Sequence, residues 1–173
     1  MTGSTAPDAR YIVTMPTKHE SPGAALLAAW RRLAPLPGGQ RLFNWYVGRM
    51  APYSGSMGAR VTALEPGHAV IELSDRRRVR NHLASIHAIA LANLGELTTG
   101  LAMTSALPPS VRGIPTRLEI DFVKKARGRL RAECRCAMTP VSGEETRTVE
   151  ATIRDPAGDD VARVRVEWRV GPR

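Results

Sequence analysis

SIHAIALANLGELTTGLAMTS, residues 85–105, holds one charged side chain, Glu96. At about 100° per residue, Ile86, Ala90, Leu94, Leu97 and Leu101 fall on one stripe of a helix. The opposite side carries Ala88, Leu91, Gly95, Thr98, Thr99 and Ala102, all small or apolar. A helix with so little polar surface is enclosed on most sides. Pro108-Pro109 stops it. A membrane span is the competing reading of such a run. Against it, the stretch Ile86–Leu107 contains His87, Asn93, Glu96 and four hydroxyl residues, and a central carboxylate is costly in lipid. The segment also lies between β-type sequence.

Outward from this helix the pattern changes period. Upstream, Gly58–Leu64 and His68–Ser74 read as strands joined by the turn Glu65-Pro66-Gly67. Downstream everything alternates. Leu118, Ile120 and Phe122 are separated by Glu119 and Asp121. Leu130, Ala132, Cys134, Cys136 and Met138 alternate with Arg131, Glu133 and Arg135. Thr146–Arg154 follows, then the turn Asp155-Pro156-Ala157-Gly158. The last strand sets Val164, Val166, Trp168 and Val170 against Arg163, Arg165, Glu167 and Arg169. Alternation of this kind gives each strand one buried and one wet face. Before the first strand, Ser21 and Pro22 suit an N-cap and first helical position, with Leu26, Leu27, Trp30 and Leu33 at helical spacing. A second short helix, Gln40–Met50, carries Phe43, Trp45, Tyr46 and Val47.

The order is a helical lead-in, two strands, one long helix and four strands. It predicts an α+β fold in which an antiparallel sheet wraps around one long central helix, with extra N-terminal helices. Residues 1–20 read as a flexible tail, 21–54 as the helical lead-in and 55–173 as the sheet-and-helix domain.

The 173 residues suffice for one well-packed domain, and with only 5% aromatics the core must come from Val, Leu, Ile, Ala and Met. The net charge of +9 raises nucleic-acid binding. The arginines are scattered along the chain and often alternate with apolar positions, as on solvated strand faces. The one dense run, Arg76-Arg77-Arg78-Val79-Arg80, has no interleaved aromatic for base stacking. Solubility or a small anionic ligand is the expected use, not nucleic acid. Cys134 and Cys136 share a strand face and cannot readily bridge each other; buried reduced thiols and a reducing compartment follow. No further ligands at metal spacing accompany them. The first twenty residues lack the apolar core of a signal peptide, so a cytoplasmic location is expected.

A lone carboxylate in a buried helix must be paired, protonated or kept for function. The plain structural alternative is that Glu96 meets an arginine of this chain or of a partner subunit. At the other end of the segment, Asn81 is a loop polar group and His87 falls at the helix N-terminus. First-turn N–H groups there lack partners, so the N–H of Ala88 or Ile89 is placed to polarise a carbonyl.

Asn81-His82-Leu83-Ala84-Ser85-Ile86-His87-Ala88-Ile89, followed by Leu94-Gly95-Glu96, resembles the hotdog superfamily, especially the phenylacetate-degradation type of acyl-CoA thioesterase. That group shows Asn, a short spacer, His-Gly-Gly, and Asp or Glu one helix segment later. The stretch Arg117–Gly128 is similar to the family's next strand and turn. Two departures stand out: Ala88 and Ile89 replace the paired glycines, and Ala84 replaces the glycine between Asn and His. The resemblance implies thioester hydrolysis. Family spacing puts the carbonyl-polarising N–H on Ala88, eight residues before the carboxylate. Glu96 is then general base or nucleophile, Asn81 orients water or the carboxylate, and His87 fixes the loop. Lys124, Lys125 and Arg127 would meet coenzyme A phosphates. No cofactor is implied beyond the coenzyme A of the substrate. The site would lie between subunits of a homodimer or dimer of dimers. Two rivals stay open: a non-catalytic acyl-CoA binder whose pocket Ile89 narrows, and a dehydratase pairing His82 with Glu96. The dehydratases carry a proline-rich segment between those two residues, and no proline occurs here between Pro66 and Pro108.

Overall fold

The computed structural model describes residues 21–137 and 139–173. The tail expected over 1–20 and Met138 lie outside the described residues. Ser21 caps α1 (Pro22–Leu33), its Oγ accepting from the Ala24 N–H at 3.1 Å. In α2 (Gly39–Met50), Phe43 and Val47 turn inward, and the Phe43 ring meets Trp30 edge-on at 5.0 Å. A third short helix, α3 (Pro52–Met57), ends at Gly58 in the left-handed region (φ 69°). Its six residues, PYSGSM, show no apolar period. The first strand therefore starts at Arg60, not at Gly58.

β1 (Arg60–Glu65), β2 (His68–Leu73), β3 (Val111–Phe122), β4 (Leu130–Arg135), β5 (Glu145–Arg154) and β6 (Asp160–Pro172) form one antiparallel sheet in the order β1-β2-β4-β5-β6-β3. The long helix α4 (Ala88–Ala106) packs across β2, β4, β5 and β6, so the sheet curves around it as expected. Leu91, Leu94, Thr98, Leu101 and Ala102 are buried against Ile71, Leu73, Leu130, Ile153, Val164 and Val166. The two threonine hydroxyls stay inside because the helix satisfies them. Thr98 Oγ1 donates to the Leu94 carbonyl at 2.6 Å and Thr99 Oγ1 to the Glu96 carbonyl at 2.9 Å.

Helix and sheet approach closely at Gly95, where a methyl group would sit 2.3 Å from Val164 Cγ2 and 2.4 Å from its Cβ. Only a residue without a side chain fits there. Gly95→Ala should destabilise the fold by about 2 kcal/mol through overpacking, lowering the thermal midpoint by roughly 4–8 °C. Thermal unfolding followed by circular dichroism measures this; an unchanged midpoint would mean that the helix can back away from β6 freely.

The sheet's two edges are treated differently. At β1, Asn44 of α2 accepts from the Val61 N–H at 2.6 Å and donates to the Val61 carbonyl at 3.1 Å, so one side chain stands in for a neighbouring strand. The β3 edge has no such cover among the described residues. Its alternation predicts a buried face of Leu118, Ile120 and Phe122, and here the structure corrects the expectation. Ile120 touches the core, but Leu118 and Phe122 are exposed, as are Ile114 and Val123. The other face of β3 is ionic, with Arg165 from β6 bridging Glu119, Asp121 and Glu150.

Candidate active site

The residues before α4 form a closed loop. The Asn81 N–H donates to the Ser85 carbonyl at 2.8 Å, and Asn81 Oδ1 accepts from the N–H groups of Leu83 (2.9 Å) and Ser85 (3.3 Å). Ala84 completes the turn at φ 51°, a left-handed conformation costing a non-glycine residue about 1–2 kcal/mol. The position that resembles a family glycine keeps glycine's geometry with a methyl group attached. The loop is tied down on both sides: the Ile86 N–H donates to the Ala126 carbonyl and the His87 N–H to the Val79 carbonyl, each at 2.8 Å. Ala126 is the neighbour of both Lys125 and Arg127, so that basic loop lies against the entrance to α4.

The helix begins at Ala88 instead of Ser85, with His87 as its cap. His87 Nδ1 accepts from the Ile89 N–H at 3.1 Å, which puts the neutral ring's proton on Nε2. Of the two N–H groups that the sequence offers for a carbonyl, the Ile89 donor is therefore committed. The Ala88 N–H, in the first helical turn, donates to no acceptor among the described residues. It lies on an exposed surface beside the exposed Ile89 side chain.

Glu96 is half-buried on α4, and its carboxylate has neither an ion pair nor a side-chain hydrogen bond among the described residues. This is unusual in the molecule: Glu119, Asp121, Glu133, Glu150, Asp155, Asp159 and Asp160 all hold a cation. Burial alone pushes the Glu96 carboxyl above the ordinary carboxylate range. A methyl group on Gly100 would lie 3.8 Å from Glu96 Oε1 and 3.6 Å from Trp168 Cη2, so the acid and the indole edge both border the space above this glycine. On the same side of the helix, one turn earlier, Ser54 Oγ of α3 donates to Asn93 Oδ1 at 2.8 Å. Eight residues at about 1.5 Å each separate Ala88 from Glu96 by about 12 Å along the axis.

The chain matches, over residues 39–170, the model of a domain of unknown function, DUF4442. The chain belongs to the DUF4442 family. No curated protein matches it in sequence. Among solved structures, this DUF4442 chain is similar to a structural-genomics protein at 25% identity and TM-score 0.75, over 86% of this chain and 99% of that one. It is also similar to a Pseudomonas aeruginosa protein of unknown function described as a probable thioesterase, at 22% identity and TM-score 0.70, covering 80% and 97%. A third is the phenylacetic acid degradation protein PaaI of Thermus thermophilus, in mutant form, at 20% identity and TM-score 0.59, covering 68% and 97%. The fold is that of the hotdog proteins.

Within the DUF4442 chain, the structure brings Asn81, His87 and Ala88 together at one end of α4 and sets Glu96 apart on its flank. The Asn81 carbonyl oxygen is spent on its own loop, so only its amide hydrogens remain to orient anything. His82 is exposed on the same loop. Lys124 departs from expectation most plainly: its ammonium is held by Asp155 at 2.7 Å and Asp159 at 2.5 Å, both in the β5–β6 turn. Lys125 and Arg127 have no carboxylate partner among the described residues. Helical spacing already sets Gly100 beside the acid, but sequence reasoning missed Trp168 as a neighbour, though it is the one aromatic in an otherwise valine-lined strand. Both cysteines are free thiols, and burial pushes Cys134 to about 12. Among the described residues no helix is long and apolar enough to cross a membrane.

Proposed function

We propose that this protein hydrolyses acyl-CoA thioesters, with Glu96 as the base and the Ala88 N–H as the carbonyl-polarising donor. The observation that carries this reading is the solitary Glu96 carboxylate, half-buried beside Gly100 and without a partner among the described residues. In the chemistry, Glu96 takes a proton from water while the water oxygen adds to the thioester carbon. The carbonyl oxygen becomes an oxyanion against the Ala88 N–H, where the helix N-terminus also favours negative charge. Collapse expels the thiolate, which takes the proton back from Glu96; a carboxylic acid and coenzyme A leave. Names of similar folds, a probable thioesterase and PaaI, support the reaction type.

The resemblance puts such sites between subunits, and a backbone separation of about 12 Å along the helix suits an arrangement in which one subunit supplies Ala88 and another Glu96. The exposed face of Ile114, Leu118 and Phe122 on the open β3 edge is the surface a second copy would cover. Phe122→Arg is expected to give monomers by light scattering and to remove turnover together with the dimer. A monomeric wild type with full activity would defeat this part of the reading. Lys125 and Arg127, beside the α4 entrance, would face the phosphates of coenzyme A. A substrate of this kind and two free thiols suit a cytoplasmic setting.

The exposed Ile89 side chain favours a second reading, an acyl-CoA binder that does not turn over. A panel of acyl-CoA thioesters with a thiol reagent separates the two. Thiol release supports hydrolysis, whereas a raised thermal midpoint with acyl-CoA and no thiol release supports binding alone.

A further inference from the structure

Ser21–Leu64 contains five arginines and no acidic residue, and the arginine run 76–78 lies against the same flank. At the Gly58 corner two guanidinium groups converge. A methyl group on Gly58 would lie 2.4 Å from Arg78 Nη2 and 2.7 Å from Arg76 Nη2, and Arg76 donates to the Gly58 carbonyl at 3.0 Å. Neither guanidinium has a carboxylate partner among the described residues. The adjacent acid, Asp75, is fully used: Oδ1 pairs with Arg80 at 2.6 Å and Oδ2 accepts from the Gly128 N–H at 2.9 Å. Two cations brought together without a counter-charge repel each other, and an anion between them reverses the sign of that interaction.

The same corner opens into a hollow of about 250 Å³ between α2, α3 and β1. Arg60, Arg76 and the exposed Trp45 contribute to its lining, together with the polar side chains of Asn44 and Ser54. Leu97, the residue after the proposed base, also lines it. A space of this size has room for several waters, and so for a phosphate or a short carboxylate-bearing chain in their place.

We propose that this hollow is an anion subsite in which Arg76, on its wall, and Arg78, at its Gly58 rim, hold the charged end of the ligand, a phosphate or carboxylate group, with Arg60 at its side. The proposal depends on the thioesterase reading only for what the ligand is. Under that reading the anion has two sources: the nucleotide phosphates of coenzyme A, or a carboxylate at the far end of the acyl group. Guanidinium groups suit both because their paired N–H donors match two oxygens of either anion.

Calorimetric titration of the full chain with adenosine 3′,5′-bisphosphate and, separately, with glutarate tests the subsite without turnover. Wild type should bind one of the two at least tenfold more tightly than Arg78→Gln and Arg76→Gln. Arg77→Gln removes the same charge from the neighbouring position and should bind like wild type. Arg78 makes no hydrogen bond of its own among the described residues, so its replacement leaves the corner's fold in place. Preference for the bisphosphate assigns the nucleotide end, and preference for glutarate the acyl end. Binding of neither, or equal weakening by all three substitutions, would overturn the proposal as no more than diffuse charge. If binding follows the prediction but no thioester is hydrolysed, the subsite stands and the enzymatic reading falls. Hydrolysis without anion binding gives the reverse.

Discussion

Glu96→Gln should lower kcat on an acyl-CoA substrate by about 10²–10⁴, the usual contribution of a positioned base, while leaving the fold intact or making it more stable. The two outcomes have one cause. Burial raises the Glu96 carboxyl above its unfolded value with no cation to compensate. Between the ordinary carboxylate range and the raised folded value, the native state binds more protons than the unfolded state, so wild-type stability falls as pH rises through that window. Below the window both states are protonated and the penalty vanishes. Glutamine carries no charge to desolvate. The variant's midpoint should therefore exceed that of wild type at neutral pH and converge with it in acid. Activity of the wild type should run the other way, failing as pH drops through the same raised value because a protonated Glu96 takes no proton from water. A merely structural carboxylate would show the opposite pairing, with lost stability and unchanged turnover.

Ala88→Pro should lower turnover by about 10²–10³ without unfolding the protein. Ala88 is the first residue of α4, where proline is favoured because its missing N–H had no helical acceptor. The preceding His87 is extended (φ −65°, ψ 142°), the conformation that proline demands of its neighbour. The substitution thus deletes one hydrogen and little else. The expected loss is that seen when a single oxyanion donor is removed. Ala88→Gly is the companion variant: it keeps the N–H and should keep the activity. If proline at this position hydrolyses thioesters as fast as wild type, the oxyanion contact lies elsewhere.

What the residues reveal on their own follows the physics of each feature. The α4 interior is legible because an uncharged helix has to be enclosed by something, and the downstream strands are legible because alternation has a fixed period. Where α4 starts is not, since Ser85, Ile86 and His87 suit a helix as well as the extended segment pinned by Val79 and Ala126. The capping bond of His87 settles it. The strand character of β3 is visible in Leu118, Ile120 and Phe122, but their exposure is not, because alternation does not reveal that β3 is the edge of the sheet. Lys124 reads as a free cation until the turn more than thirty residues later brings Asp155 and Asp159 to it. The role of Asn44 as a substitute strand has no local signature at all, because it depends on where α2 meets β1. At the candidate site, helix position singles out Glu96, His87 and the pair of N–H groups at Ala88 and Ile89. That one of these two N–H groups is already occupied is not legible from it.

Mixing the two inactive variants tests the account most directly. If each site combines the Ala88 N–H of one subunit with the Glu96 carboxylate of the other, Glu96→Gln and Ala88→Pro chains are each nearly inert alone. Unfolded together and refolded at equal concentration, half the dimers are mixed, and each mixed dimer has one intact site. Activity should return to about a quarter of the wild-type rate. A mixture as inert as its parents, although shown by mass spectrometry to contain mixed dimers, would contradict the account.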